Sequence, residues 1–442
     1  MPDAEPNRAE VKLQKTRVEK VDYHAAAIQK NATPTQCTMP ITVPGMSDKQ
    51  GGDAGWRPAC DLAETFERLA EGLGRPPYVL DLTGDARASA WGSLAVVFRP
   101  PSSGACVRQD LLPYIDASVD IVAVASPTPL LLAEARRVAT LAIVDCVPEP
   151  RIEWLREPPA ARLPSVSIIV PVFNQWQITK SCLQALRSTM PREAAIEVIV
   201  SDDASTDDTS NGLASLARSE PWLRVVRNDK NLGFVESCNR AAAVATGDVL
   251  VFLNNDTVSS PGWLEPLLRT FELFPHVGAV GGKLLFPDGR LQEAGGIVFS
   301  DASACHFGRD ESNAMGLLFS YVRPVDYVSG ALMATPRDLF AALGGFDLDY
   351  SPGYYEDTDY CFRLRERGMV VYYQPDSAVV HLEGATAGID PEVGMKRHQL
   401  INQDRFRKRH AAALAEQPVR PEAIDAGSWA ALANRGKARE RP

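Results

Sequence analysis

From Ser165 onward the chain repeats one arrangement: a short run that is apolar at nearly every position, closed by polar residues and followed by a stretch with apolar residues at helical spacing. "SVSIIVPVFN", "IEVIVSDDAS" and "DVLVFLNNDT" are such runs, and "QITKSCLQALRSTM", with Ile178, Cys182, Leu186 and Met190 on one stripe, is the clearest helix. A strand without a polar face must be covered on both sides. Alternation with helices supplies that cover, so the pattern specifies the α/β class, with a mostly parallel sheet flanked by helices. Ligands of such sheets sit outside the carboxyl ends of the strands. Polar residues collect there: Asn174 after the first run, Asp202 and Asp203 after the second, and Asn254, Asn255 and Asp256 after the third.

At 442 residues the chain exceeds one typical domain, and 45% hydrophobic with 23% charged residues is ordinary globular composition. Residues 1–55 show little periodicity and end in "PGMSDKQGGDAGW", so disorder is expected. Residues 56–150 read as a small α/β domain, with a helix in "CDLAETFERLAEGLG" and buried strands in "YVLDLTG", "SLAVVFRP", "VDIVAVAS" and "LAIVDCV". Within it "LLPYIDASVDIVAVASPTPLLLAEARRVA" resembles the later half of a class I methyltransferase. The earlier half lacks a glycine-rich turn, with only Gly84 near the place, and a degenerate module is expected. Residues 151–164 read as a proline-rich linker, 165–390 as the main domain and 391–442 as a C-terminal helix with a basic tail.

The net charge of −10 argues against a nucleic-acid partner, for which a basic footprint supplies most of the affinity. Charge is uneven, however. Residues 391–442 hold eleven Lys and Arg against six Asp and Glu, a basic end that could dock on an anionic membrane face or simply flank a solvated helix. Eight cysteines occur singly, with no C-x-x-C pair, as in a reducing cytosol. "MPDAEPNRAEVKLQKTRVEK" has charge and proline where an export signal has an apolar core, and no apolar run approaches the ~18 to 20 residues that cross a bilayer. A cytoplasmic location, peripheral at the inner face of the membrane, is the expectation.

Carboxylates converging on one sheet edge make a poor anion site unless a divalent cation is present. With Mg2+ or Mn2+, one or two protein carboxylates and a ligand diphosphate can share the metal, so a nucleoside diphosphate derivative is the natural ligand. Neither G-x-x-x-x-G-K-[ST] nor a strand-linked G-x-G-x-x-G occurs, which removes the competing phosphate loops.

The order of motifs carries a resemblance. "VSIIVPVFN", "VIVSDDASTDDT", "NLGF", "ATGDVLVFLNNDT", "GGFD" and "YYEDTDYCFRLRERG" resemble, in sequence and spacing, the inverting family-2 glycosyltransferases of the GT-A fold. The likeness is greatest to the bacterial branch that builds surface polysaccharides, including many rhamnosyltransferases, and it covers about Ser165 to Gly384. It implies transfer of a sugar from a nucleotide-diphosphate donor (UDP, dTDP or GDP) to a hydroxyl of a glycan or polyprenyl-linked acceptor, with Mn2+ or Mg2+ as cofactor.

The same resemblance assigns residues. Pro171, Val172 and Asn174 would bracket the base, and Asp202 or Asp203 would bond base or ribose. Asn231 and Gly233 would form a turn beside the nucleotide, with binding and plain structure both open. The family's Asp-x-Asp metal motif reads "NND" here, so Asp256 would be the metal ligand, Asn254 and Asn255 would line the donor, and Asn254 brings no charge. His381 would complete the metal site. Gly330 and Ala331 would lie on the acceptor side. Asp357 would be the base that takes the acceptor proton, with Glu356 in support.

Macrodipole compensation explains Asp359 as a helix-start residue, with Tyr360, Cys361 and Leu364 as the buried stripe and Arg363, Arg365 and Arg367 facing water or nearby acids. "GGKLLFPDGRLQEAGG" reads as a hairpin turning at Pro287, Asp288 and Gly289, with no chemistry assigned. The competing reading is a catalytically inactive nucleotide-sugar or glycan-binding module; a nucleotidyltransferase would want a basic, glycine-rich phosphate loop.

Overall fold

A computed structural model describes six strands between residues 56 and 154, residues 163–191, 194–383 and 397–422, and the helical positions Trp429 and Leu432. The expected disorder of 1–55, the helix over "CDLAETFERLAEGLG", most of the linker, the loop 384–396 and the end of the basic tail lie outside the described residues.

The first six strands are β1 (Trp56–Pro58), β2 (Tyr78–Asp81), β3 (Val96–Phe98), β4 (Val119–Val124), β5 (Ala139–Asp145) and β6 (Arg151–Trp154). They form one sheet in the order β1-β6-β5-β4-β2-β3, in which β2 to β5 run parallel and β6 and β1 are antiparallel. Four of these are the strands expected from sequence. The linker begins later than expected, because Arg151–Trp154 pairs on both sides. Its prolines flank the segment and leave the ladder intact.

The main sheet opens with β7 (Val166–Val172), helix α1 (Trp176–Thr189), β8 (Ile196–Asp202), α2 (Thr209–Ser219), β9 (Leu223–Arg227), α3 (Gly233–Ala243), β10 (Val249–Leu253) and β11 (Thr257–Ser259). It continues through α4 (Leu264–Leu273), β12 (Val277–Leu285), β13 (Leu291–Glu293), β14 (Gly296–Val298), β15 (Ala304–His306), β16 (Arg323–Pro324), β17 (Leu332–Pro336) and α5 (Arg337–Ala342). The last elements are α6 (Glu356–Glu366), β18 (Val370–His381), α7 (His398–Arg409) and α8 (Ala411–Ala415). The strand order is β11-β18-β12-β17-β10-β7-β8-β9, with β13 added to β12 and β16 to β18. Neighbours among β9, β8, β7 and β10 are parallel, as are β12 and β18, whereas β17 runs against both β10 and β12.

Alternation along the strands explains why the runs are apolar throughout. Ile168, Val170, Val198, Val200, Val249, Val251 and Leu253 enter one core, while Ile169, Ile199, Leu250 and Phe252 enter another on the opposite face. On α1 the buried face is Thr179, Cys182, Leu183 and Leu186, about one residue round from the expected stripe.

The register sets the site. Val172 pairs with Asp202, so β7 and β8 end together, and Leu253 pairs with Leu332, so Asn254–Asp256 emerge beside Gly330 and Ala331. His381 pairs with Thr257 at the same edge.

The helix α6 differs from expectation. Glu356, Thr358, Asp359, Tyr360, Cys361, Phe362, Arg363 and Leu364 are all buried, so it is a core helix with no solvent face over two turns. Asp359, fully buried, accepts from Arg363 Nε (2.6 Å) and lies 2.9 Å from His410 Nε2. It lies in the first turn of the helix, as expected, and it also anchors the C-terminal helices. Arg363 also donates to Leu343 O and Gly345 O, and Arg365 covers the Phe362 ring and meets Asp326, so neither simply faces water.

Candidate active site

At the end of β7, Asn174 and Gln175 take left-handed backbone (φ 56° and 62°) and turn the chain sharply. Asn174 Oδ1 accepts from Thr206 N (2.7 Å) and Asp207 N (3.3 Å), and its own N–H donates to Ser205 Oγ. This edge of the sheet is thereby held by its own hydrogen bonds. Asp202 accepts from Ser205 N, Ser210 Oγ and Arg227. Burial pushes its carboxyl up, but those bonds and the Arg227 charge outweigh it and hold the group below the ordinary range. Asp203 accepts from Asn228 Nδ2, Leu232 N and Gly233 N, each at 2.8 Å. Both aspartates thus shape this edge, whatever else they contact. Asn231 is exposed on the turn that Asp203 holds, and Gly233 (φ 83°) is buried at its end.

Asn254 and Asn255 part company. The Asn254 N–H donates to Ala331 O and its side-chain Nδ2 lies 3.4 Å from His381 Nε2. Asn255 is buried with Nδ2 donating to Thr179 Oγ1 of α1 (2.9 Å), away from the Asp256–His381 pair. It props the strand end against α1.

Asp256 is buried, its Oδ1 has no hydrogen-bond partner, and His381 Nε2 stands 3.2 Å from that oxygen. The His381 tautomer follows from its neighbours. Arg309 Nη2 pairs with Glu383 Oε2 (2.7 Å), and that carboxylate accepts from Gln292 Nε2 (3.2 Å). The other end of the amide, Oε1, therefore faces His381 Nδ1 at 2.8 Å and must accept its proton. In the neutral ring Nε2 then turns a lone pair toward a carboxylate oxygen, an arrangement that a cation between them resolves. The residues fit Mn2+ or Mg2+ on those grounds. Among the described residues no three His, Cys, Asp or Glu side chains gather round one point, so an ion held here would take only this pair from the protein.

Gln292 and Glu293 lie in the hairpin to which sequence reading assigned no chemistry; β12 and β13 do pair antiparallel around the expected turn. An outer residue that fixes a ligating histidine typically matters 10- to 100-fold for metal affinity. Gln292→Leu is therefore expected to weaken Mn2+-dependent UDP binding by about 10-fold or more in a calorimetric titration; unchanged affinity contradicts the tautomer argument.

Asp357 opens α6. Its Oδ2 accepts from Gly330 N (3.0 Å) and its Oδ1 from Thr358 N (2.6 Å) and Thr358 Oγ1 (3.1 Å). Gly330, expected on the acceptor side, thus orients the carboxylate, and Ala331 next to it is buried and tied through its carbonyl to Asn254. Desolvation raises the Asp357 carboxyl above its usual value, against the pull of the Gly330 and Thr358 donors. Glu356 is buried with Oε2 unpartnered, and burial, then the Asp357 charge, push it well up.

A third carboxyl joins them. Glu293 accepts from Ser329 N (3.1 Å), one residue before the donor to Asp357, and its Oε2 lies 3.3 Å from His306 Nε2. Burial holds Glu293 up at about 8, with the Ser329 N–H opposing and the Asp357 charge adding, and burial holds His306 down at about 4. A raised folded pKa means the proton stabilises the fold fully below the unfolded value of about 4.3, and that contribution drains away as pH rises toward 8. The expected loss is on the order of 1 kcal/mol per pH unit across that window. Glu293→Gln, neutral at every pH, should flatten the fall in urea-unfolding stability from about pH 6.5 to 8, above the range in which the depressed His306 gives the opposite slope; parallel slopes in the two proteins contradict this.

Comparison with known proteins gives the chain's relatives. Residues 167–312 match the family model "Glycosyl transferase family 2". The O-antigen biosynthesis protein RfbC of Myxococcus xanthus is 31% identical over 241 residues, 52% of this chain and 18% of that protein. The N-acetylglucosaminyl-diphospho-decaprenol L-rhamnosyltransferase of Mycobacterium tuberculosis strain H37Rv is 25% identical over 231 residues, 48% of this chain and 74% of the relative. A solved structure of GalNAc-T7 with UDP, GalNAc and Mn2+ is 17% identical with a TM-score of 0.49, covering 57% of this chain and 50% of that one. The chain thus spans a small part of the Myxococcus protein and half of the solved chain. Its sheet of mixed, mostly parallel strands flanked by helices is the α/β architecture expected, and residues 167–312 resemble the family-2 glycosyltransferases, with a bacterial O-antigen biosynthesis protein among the relatives.

Proposed function

We propose that the chain is an inverting, metal-dependent hexosyl- or deoxyhexosyltransferase that moves a sugar from a UDP-, dTDP- or GDP-sugar to a hydroxyl of a glycan or lipid-linked glycan. The observation that carries this is the facing pair of Asp256 Oδ1 and His381 Nε2 on the sheet edge where Gly330 N–H orients Asp357. A sugar hydroxyl is weakly acidic, so a positioned carboxylate must take its proton as the new bond forms. Asp357, with its raised pKa and two anchored oxygens, is suited to that task. Asp256 and His381 would hold Mn2+ or Mg2+, and what the ion supplies there is neutralisation of the departing diphosphate. Asn174, Asp202, Asp203 and the 228–233 turn would cradle the nucleotide, and Asn254 would touch its ribose.

The decaprenol in one relative's name motivates a polyprenyl-linked acceptor, and an acceptor of that kind would put the work at the inner face of the cell membrane. The described part of the basic end lends the membrane little support. Arg405 and Arg409 bond Asp349 O and Asp347, and Arg407 and Lys408 pair with Asp404. Among the described residues no helix is long and apolar enough to cross a membrane. Purified protein with Mn2+ and a panel of UDP-, GDP- and dTDP-sugars should release nucleoside diphosphate slowly by donor hydrolysis. Binding of a donor without release from any of them would favour the inactive binding module.

A further inference from the structure

The segment that delivers Asp357 is held from outside the catalytic motif. Tyr354 and Tyr355, immediately before α6, both adopt left-handed backbone (φ 73° and 71°), a conformation that non-glycine residues keep only where their surroundings enforce it. The enforcement comes from α7. Asn402, fully buried, directs Nδ2 at three carbonyls of that segment: Tyr350 O (2.9 Å), Gly353 O (2.9 Å) and Tyr354 O (3.0 Å). Its orientation is fixed, because Oδ1 accepts from Arg405 Nη1 (2.8 Å), a group that can only donate. Another carbonyl of the segment, Pro352 O, accepts from Phe234 N (2.8 Å) at the start of α3. Gly233 permits that approach, since a Cβ there would lie 2.6 Å from the Pro352 side chain. One turn along α7, Phe406 packs on Tyr355 and on Phe362 of α6.

We infer that Asn402 is a positioning residue for the base: by pinning 350–354 it sets the angle at which α6 begins, and hence where the Asp357 carboxylate stands against Gly330. The same segment, through Pro352, ties the base to the turn that Asp203 holds on the nucleotide side. The inference rests on Asp357 as the base, and it makes α7 a part of the transferase domain, beyond the boundary at residue 390 expected from sequence.

Asn402→Asp keeps the shape and the Arg405 contact while removing every donor, and Asn402→Ala removes the side chain. Both should speed amide exchange of 353–359 and of Gly330, whose N–H reports directly on Asp357, while β7 and β10 stay protected. With the best donor of the panel, kcat should fall about 10- to 100-fold, as small misplacements of a reacting group do, with KM and Mn2+-dependent UDP affinity within about twofold. Phe274→Leu, in the core against Tyr372, should lower the melting temperature without changing kcat or Gly330 exchange. Unchanged exchange at Gly330 in both Asn402 variants overturns the inference, as does a kcat that stays within threefold of wild type. Absence of turnover by the wild type would instead strike the proposed function, and the exchange measurement would still decide the brace.

Discussion

Asp357→Asn is expected to lower sugar transfer by about 10²- to 10⁴-fold, the range that a positioned general base contributes. The replacement is nearly isosteric, and its amide oxygen can still accept from Gly330 N–H or from Thr358 N–H. What disappears is the carboxylate oxygen that can take up a proton. Mn2+-dependent UDP binding should survive, because Asp256 and His381 are untouched, and stability should hold or rise as a desolvated charge is removed beside Glu356. In the wild type, activity should climb with pH through a value above the ordinary carboxylate range, since the folded pKa is raised and the base works ionised. Transfer at the wild-type rate in the variant, measured by nucleoside diphosphate release, rules out Asp357 as base.

Asp256→Ala should act on the other half of the reaction. A residue that only orients a ligating side chain is worth 10- to 100-fold in metal affinity, so loss of the carboxylate itself should weaken Mn2+-dependent UDP binding by at least about 100-fold. The free protein should not suffer, because Asp256 Oδ1 is a buried acceptor without a hydrogen bond. Equal or higher melting temperature together with lost metal dependence is the signature of a ligand. A large fall in melting temperature with metal dependence intact would make Asp256 a structural residue.

The sheet was legible because β7, β8 and β10 are apolar on both faces, a pattern with few other solutions. Motif order brought Asp256, His381 and Asp357 into one reading, and the structure brings Asp256 and His381 within 3.2 Å. The local signal failed where burial depends on distant partners. Gln292 and Glu293 look like the polar return of a surface hairpin, and only the packing of β13 against β12 turns them toward His381 and Ser329. Asp359 obeys the helix-start rule by position, yet its partner His410 is 51 residues away. Asn402 sits in an unremarkable polar helix, and its three acceptors are carbonyls, which no side-chain pattern reveals. Asn254 and Asn255 are adjacent and chemically identical, and only the path of the strand end decides which one meets His381.

The most direct measurement is a thermal-shift titration of the full chain with UDP, GDP and dTDP, with and without Mn2+, in the wild type and in Asp256→Ala. A nucleotide held through a metal raises the melting temperature only when both are present, because ligand bound to the native state alone stabilises it by mass action. The expected result is a Mn2+-dependent rise with at least one nucleotide that Asp256→Ala abolishes. No rise with any nucleotide, or a rise equally large without Mn2+ or in the variant, would contradict a metal-held nucleoside diphosphate at this sheet edge.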